Sequence, residues 1–355
     1  MTASLGLERL HVPANASRFM ATADAARAQD TAVIDLAWDA ADPWLFNIAF
    51  DESKIRHDAS YCTSVVDLDE VVQVPTLDYL FDTVLPHVGG SRTVIDIGCG
   101  QGEFVAALQD RGVDAAGYDP VVRNPSAHLH DRYWTGDEPP ADLYVMRCVL
   151  PHILSPWTFL DEIGKVNPEA LVLIEFQALD WILTESIWYQ ISHDHVNLFA
   201  PGDFQDRYDV VADGSFSAGE WSWALVRAAS RRPVEPRPCS FEGDLRSLLQ
   251  HRAAALQSAT ERHTAYLWGA AGKGIVLGHA LIDAGVEVPV AIDADRSRWG
   301  LFMETSGIPI VSPDEARELL PADALVLVCN PNHLESVRQF ARPSWDVRVP
   351  SDLAR

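Results

Sequence analysis

The sequence predicts an α/β protein with two glycine-turn units, one in each half of its 355 residues. Three observations carry that expectation. The run Val94-Ile95-Asp96-Ile97-Gly98-Cys99-Gly100-Gln101-Gly102-Glu103-Phe104 is apolar, closes in Asp-x-Gly-x-Gly-x-Gly, and passes into helical spacing at Phe104, Val105 and Leu108. Ala265-Tyr266-Leu267-Trp268 runs in the same way into Gly269-Ala270-Ala271-Gly272-Lys273-Gly274 and a helical pattern reaching Leu281. Elsewhere short apolar runs alternate with helical patterns, which implies mainly parallel sheets covered by helices.

The elements follow in order. Residues 1 to about 35 are Ala-rich with weak helical periodicity, so 1–70 is expected to be a helical or irregular segment. Asp42 to Asp51 is dense in aromatics, and Tyr61 follows. Val72, Leu77, Leu80, Phe81, Val84 and Leu85 suit a helix between Val71 and Val88 that leads into the first strand. A second strand, Val113 to Tyr118, ends at Asp119, and a polar stretch from Arg123 to Pro140 comes next. Leu143–Met146, Ala170–Phe176 and Trp221–Val226 read as further strands, with a short helix at Thr158–Ile163. Arg231-Arg232-Pro233-Val234-Glu235-Pro236-Arg237-Pro238 is the best linker. A long helix from Phe241 to about His263 then opens the second unit, whose later strands are Val288–Asp293, Ile308–Val311 and Leu325–Val328. The expected domains are therefore 1–70, 71–230 and 240–355.

Composition narrows the function. The formal net charge is −24, from 27 basic and 51 acidic side chains, a surface that repels phosphate backbones and acidic membranes. No nucleic-acid or membrane partner is expected. No apolar run is long enough to span a bilayer, and the N-terminus lacks a secretory pattern, so a cytoplasmic location is expected. The five cysteines stand far apart without a C-x-x-C pair, so neither a zinc ribbon nor a disulfide framework follows.

Around the first turn, the glycines permit positive φ and let a ligand approach the backbone. Asp119, at the tip of the second strand, can accept both hydroxyls of a ribose. The dinucleotide fingerprint G-x-G-x-x-G would require glycine at Glu103 and is not met. Two acids at this spacing around such a turn favour a nucleoside site over an ordinary turn. The second turn lacks the spacing of an ATP-hydrolysing loop. With Asp293 it allows a nicotinamide cofactor, so an oxidoreductase or a non-catalytic nucleoside-binding protein is the rival of another class.

Ser192-His193-Asp194-His195 supplies titratable groups. Histidine shuttles protons near neutral pH, and a neighbouring carboxylate raises its basicity. The two histidines on a strand would share a face, a minimal metal pair. No third and fourth ligands are evident, so no metal is expected and a base is favoured over a metal pair; the choice of His195 as general base is what the family resemblance given next implies. Asp194 would orient it or hold substrate.

Several segments resemble known proteins. Asp96, Gly98, Cys99, Gly100 and Gly102 resemble motif I of class I S-adenosylmethionine-dependent methyltransferases. Arg147-Cys148-Val149-Leu150-Pro151-His152-Ile153 is similar to "R-x-V-L-E-H-I", with Pro151 in place of glutamate, in a family of C-methyltransferases of nucleotide-linked deoxysugars. Ser192 to Phe199 is similar to that family's "Y-H-E-H-L-S-Y-F", and Gly269–Gly274, Ile292–Asp295 and Ile308–Pro313 resemble its appended Rossmann-like domain. Phe50-Asp51 to Tyr61 resembles the stretch before its helical entry, so the likeness runs from about residue 45 to the end.

The resemblance implies a class I methyltransferase domain followed by a smaller Rossmann-like C-terminal domain. S-adenosylmethionine would be held by Asp96, Gly98, Cys99, Gly100, Gly102, Asp119, Arg147 and His152. It further implies a small-molecule acceptor that could be nucleotide-linked, gripped by Tyr61, Trp181 and Lys273, with the second domain closing over it. The family's N-terminal zinc module has no counterpart, since residues 1–40 hold no cysteine. Its proton-handling tyrosine is Ser192 here. O- or N-methylation of a natural-product intermediate is therefore the alternative to C-methylation.

Overall fold

The computed structural model describes residues 2–56, 82, 86 and 93–354. Tyr61 and, apart from residues 82 and 86, the expected helix Val71–Val88 lie outside the described residues. A seven-stranded sheet runs Val210–Phe216, Trp221–Arg227, Leu171–Gln177, Leu143–Arg147, Thr93–Ile97, Asp114–Tyr118, Leu129–His130 in spatial order. From Leu171–Gln177 to Leu129–His130 all neighbours are parallel, and only Trp221–Arg227 is antiparallel to both of its neighbours. The chain starts in the middle of this sheet, builds outward to one edge, then returns to add the other half. The reversal falls between Thr93–Ile97 and Leu143–Arg147, where diverging connections open a crevice at the strand ends. This is the expected class I arrangement. Cores form on both faces, one around Tyr144, Trp157 and Phe176 and the other around Val94, Val105 and Leu225.

The helix Pro156–Val166 illustrates the local logic. Proline stands at its first position, where no N–H is needed, and Trp157, Leu160 and Ile163 recur on one buried face. Burying Leu160 and Ile163 contributes about 1.5–3 kcal/mol each.

The C-terminal lobe is a second doubly wound sheet, ordered Ile310–Val311, Ala291–Ile292, Tyr266–Trp268, Leu325–Val328, Asp346–Arg348, all parallel. The linker before it has no regular structure, yet Arg231, Arg232 and Arg237 tie it to Asp42, Asp161, Asp209 and Asp206. The helix that follows spans Glu242–Arg262.

The N-terminal expectation needs correction. Residues 2–47 are not helical: they contain six strands and a single helix, Ala23–Arg27. Thr2–Ser4, Leu36–Asp39 and Leu45–Asn47 make an antiparallel sheet completed by the distant Asn197–Leu198. Strands of two to four residues carry too little periodicity to outweigh alanine content, and the pairing partner lies far along the chain. One hydrophobic cluster joins this sheet to the C-terminal lobe, through Leu10, Trp38, Ile182, Tyr189, Leu267 and Leu277. Among the described residues no helix is long and apolar enough to cross a membrane.

Candidate active site

The first glycine turn lies at the crevice. Gly98, Gly100 and Gly102 all have positive φ. At Gly98 a side chain is also excluded by space, because a Cβ there would come within 2.3 Å of Val149 Cγ2. Gly98 N–H donates to Tyr118 O (2.8 Å), and Gly100 N–H donates to Asp119 Oδ2 (3.0 Å). Val121 N–H donates to the other Asp119 oxygen at 2.9 Å. The strand-tip carboxylate thus holds the loop through both of its oxygens. Cys99 packs its sulfur against Gly117, where burial, then Asp96 and Asp119, push the thiol well up. It contributes backbone, not a reactive sulfur.

Replacing Asp119 by alanine should release Gly100 and remove a charge-assisted acceptor. Calorimetry with S-adenosylmethionine should then show binding weakened by about 1.5–3 kcal/mol. Wild-type affinity would remove Asp119 from the site.

Asp96 and Arg147 were both expected here, and the structure adds Glu175. The strand registers pair Asp96 with Val145 and Arg147 with Glu175. Because strand side chains alternate, Asp96, Arg147 and Glu175 share one face of the sheet. Asp96 is 3% exposed and its carboxyl is raised to about 7, by burial above all, with Arg147 opposing and Asp119, Glu175 and Glu103 adding to the rise. Glu175 is raised as well, by burial against the pull of Arg147. The signal that could have revealed Glu175 is its place at the end of an apolar strand, as for Asp96.

The Ser192–His195 segment divides in two. His193 is fully buried: Nε2 accepts the Asp51 N–H (3.2 Å), Nδ1 donates to Val33 O (3.2 Å), and Phe50 stacks on the ring. Both of its nitrogens are thus engaged with backbone groups. The buried Ser192 hydroxyl donates to Asp194 Oδ1 (2.6 Å), and Ala16 N–H donates to Oδ2 (3.2 Å). Burial would raise Asp194, but His195, His152 and the Ser192 hydroxyl hold its carboxyl below the usual range.

His195 and His152 are half-buried and meet edge to face, with ring centroids 4.6 Å apart. His152 Nδ1 donates to Asp194 O (2.7 Å), which fixes its tautomer and leaves Nε2 as an acceptor. His195 makes no hydrogen bond among the described residues. Burial and then His152 push it down to about 4, against the pull of Asp194 and with a small push from Lys273. A neutral imidazole therefore stands beside a buried carboxylate, next to the loop that follows Arg147.

Lys273, expected to grip substrate, reaches across to the first α/β unit. Its Nζ lies 2.5 Å from Glu220 Oε1, and Asn330 and Asn332 donate to Oε2 at 2.9 and 3.0 Å. Glu220 is 2% exposed, and Trp181 presents its ring to the same ammonium at 5.5 Å. Sequence reading missed Glu220, since nothing in the Glu220-Trp221 stretch marks a partner 53 residues away. In the second glycine turn Asp293 is occupied too, accepting from Ala270 N–H at 2.8 Å and pairing with Arg298 at 3.1 Å. Among the described residues no group of three or more His, Cys, Asp or Glu could hold a metal ion.

Residues 75–208 match the family model described as a methyltransferase domain. Two relatives called uncharacterized methyltransferases, from Mycobacterium sp. strain KMS and strain MCS, are 33% identical over 99 residues, which is 24% of this chain. The match spans only 39% of those relatives. The crystal structure of a SAM-dependent methyltransferase from Archaeoglobus fulgidus is similar at 14% identity and TM-score 0.32, over 44% of this chain and 92% of that one. The likeness to methyltransferase domains thus falls on the first α/β unit, most of which the family model spans.

Proposed function

We propose that the protein transfers a methyl group from S-adenosylmethionine to a small acceptor bound where His152 and His195 meet. The observation that carries this reading is the part-exposed His152–His195–Asp194 cluster, next to the loop leaving the strand beside the glycine turn. The residues fit the donor. Asp96 has a buried oxygen, Oδ1, that makes no hydrogen bond among the described residues, the glycine turn presents backbone, and the Asp119 carboxylate stands at the strand tip beside that turn. When bound, S-adenosylmethionine supplies a methyl group activated by its positive sulfur.

Positioning supplies much of the acceleration, and the chain's own part is to orient the acceptor and manage its proton. His195, neutral and adjacent to Asp194, can accept a proton from carbon next to a carbonyl, as in a nucleotide-linked keto sugar. The Asp194 carboxylate would then stabilise the imidazolium. Lys273 with Glu220, and Trp181 beneath them, would close the acceptor side. Calorimetry with S-adenosylmethionine and with NAD(H) tests the donor. Nicotinamide binding without S-adenosylmethionine binding would favour the oxidoreductase.

One observation favours O- or N-methylation as the second reading. A base near 4 is far from the neutral value that serves carbon deprotonation best, and Ser192 offers no phenol to share the work. The pH profile of kcat/KM separates the assignments of the base. Only neutral His195 accepts a proton, and its lowered value keeps it neutral down to about pH 4. Activity should therefore pass through pH 6.5 unchanged and fall only toward pH 4. An acid limb near 6.5, retained in a His195→Ala variant, would assign the proton to another group.

A further inference from the structure

Beneath the glycine turn lies a row of charges in which Glu175 has no part in the donor contacts proposed above. Asp96, Arg147 and Glu175 stand on one sheet face of three adjacent parallel strands. Arg147 Nε and Glu175 Oε2 are 3.5 Å apart, and both atoms are buried with no hydrogen bond among the described residues. Asp96 Oδ1 is buried in the same state. Phe104, from the helix that starts at the glycine turn, covers the guanidinium at 5.3 Å. Glu175 is 3% exposed, and its other oxygen accepts only weakly, from Cys148 Sγ at 3.6 Å. Two carboxylates thus share a single guanidinium. Burial raises both carboxyls, Asp96 to about 7, so the full surplus of one negative charge develops when a cation binds close by and favours their ionised forms, in a setting where water screens little.

A buried carboxylate with an unmade hydrogen bond is costly to keep. A fold that needed only packing would do better with an apolar pair of similar volume. The surplus has a natural counterpart in the proposed donor. S-adenosylmethionine has one net positive charge, whereas its spent form, S-adenosylhomocysteine, has none.

We propose that Glu175, together with Asp96 across Arg147, is the charge sensor of the donor pocket and makes it prefer the cationic donor over the neutral product. This inference rests on the methyltransferase reading of the same site. Glu175 acts here as a positioning residue, through the field at the strand ends rather than through contact with the reacting atoms. Its effect on the bound state is to favour exchange of spent product for fresh donor.

Calorimetry on the full chain with S-adenosylmethionine and S-adenosylhomocysteine tests it. The wild type should bind the cation about tenfold more tightly than the neutral thioether. Glu175→Gln should erase about that factor from the ratio by weakening S-adenosylmethionine, while S-adenosylhomocysteine changes less than about threefold. Glu175→Asp, which perturbs packing but keeps the charge, should retain the preference. Equal weakening of both ligands by Glu175→Gln, or loss of the preference in Glu175→Asp, would mean packing and would overturn the proposal. Should Glu175→Gln not fold, the wild-type ratio still decides, because equal affinities for the two ligands also overturn it. Failure of the wild type to bind either ligand is a different result, and would overturn the methyltransferase reading itself.

Discussion

Replacing His195 with alanine should lower turnover by roughly 100- to 10,000-fold while donor binding changes little, the contribution expected of a general base. The structure sharpens that expectation. His195 is the part-exposed histidine of its segment with no hydrogen bond among the described residues, whereas His193 has both nitrogens committed. His193→Ala should therefore show a different signature, loss of stability with little specific loss of turnover per folded molecule. Ser192→Ala should fall between the two, because the lost hydroxyl frees one oxygen of Asp194 without removing the base. Steady-state kinetics and donor calorimetry on the three variants separate these roles. Near-normal turnover in His195→Ala would end the base-dependent C-methylation reading and promote the O- or N-methylation alternative.

The second large effect concerns the C-terminal lobe. A Cβ on Gly274 would lie 2.0 Å from the backbone oxygen of Gly269, which no side-chain rotation can relieve. Gly274→Ala should destabilise that lobe by about 3 kcal/mol or more. For a lobe of this size the corresponding fall in Tm is about 10 °C or more. Gly243→Ala is the matched control, since its added methyl meets nothing within 4 Å at the start of a long helix. That variant should be neutral or up to about 1 kcal/mol more stable. Thermal unfolding followed by circular dichroism decides the comparison, and equal Tm values for the two variants would refute the close approach of the two backbones. Because one hydrophobic cluster joins this lobe to the N-terminal sheet, the loss should also weaken the packing behind Ser192–His195.

How legible each part was depends on how far its physical cause extends along the chain. The strand and glycine turn at Val94–Gly102 and the long helix at Glu242–Arg262 were readable because apolar spacing and turn chemistry act within a few residues. The same holds for Asp119, an acid at the tip of an apolar strand. The two doubly wound sheets followed from the alternation of strands with helices, although Val210–Phe216 and Asp346–Arg348 were missed. Val210–Phe216 alternates half-buried and exposed positions at a sheet edge, and Asp346–Arg348 is only three residues long.

What the sequence determined by itself, then, is the two-unit α/β order, the first glycine turn with its two acids, and the run of titratable side chains at Ser192–His195. Tertiary structure alone decided that His193 has both ring nitrogens engaged, while His195 makes no hydrogen bond among the described residues. It folded residues 2–47 into strands that pair with Asn197–Leu198, and it sent Lys273 to Glu220 instead of to open solvent. It also placed Glu175 beside Arg147 and Asp96. Each of these depends on partners tens to hundreds of residues apart. Periodicity and spacing record the local preferences of the chain, whereas burial and the pairing of charges arise only when distant strands are brought side by side.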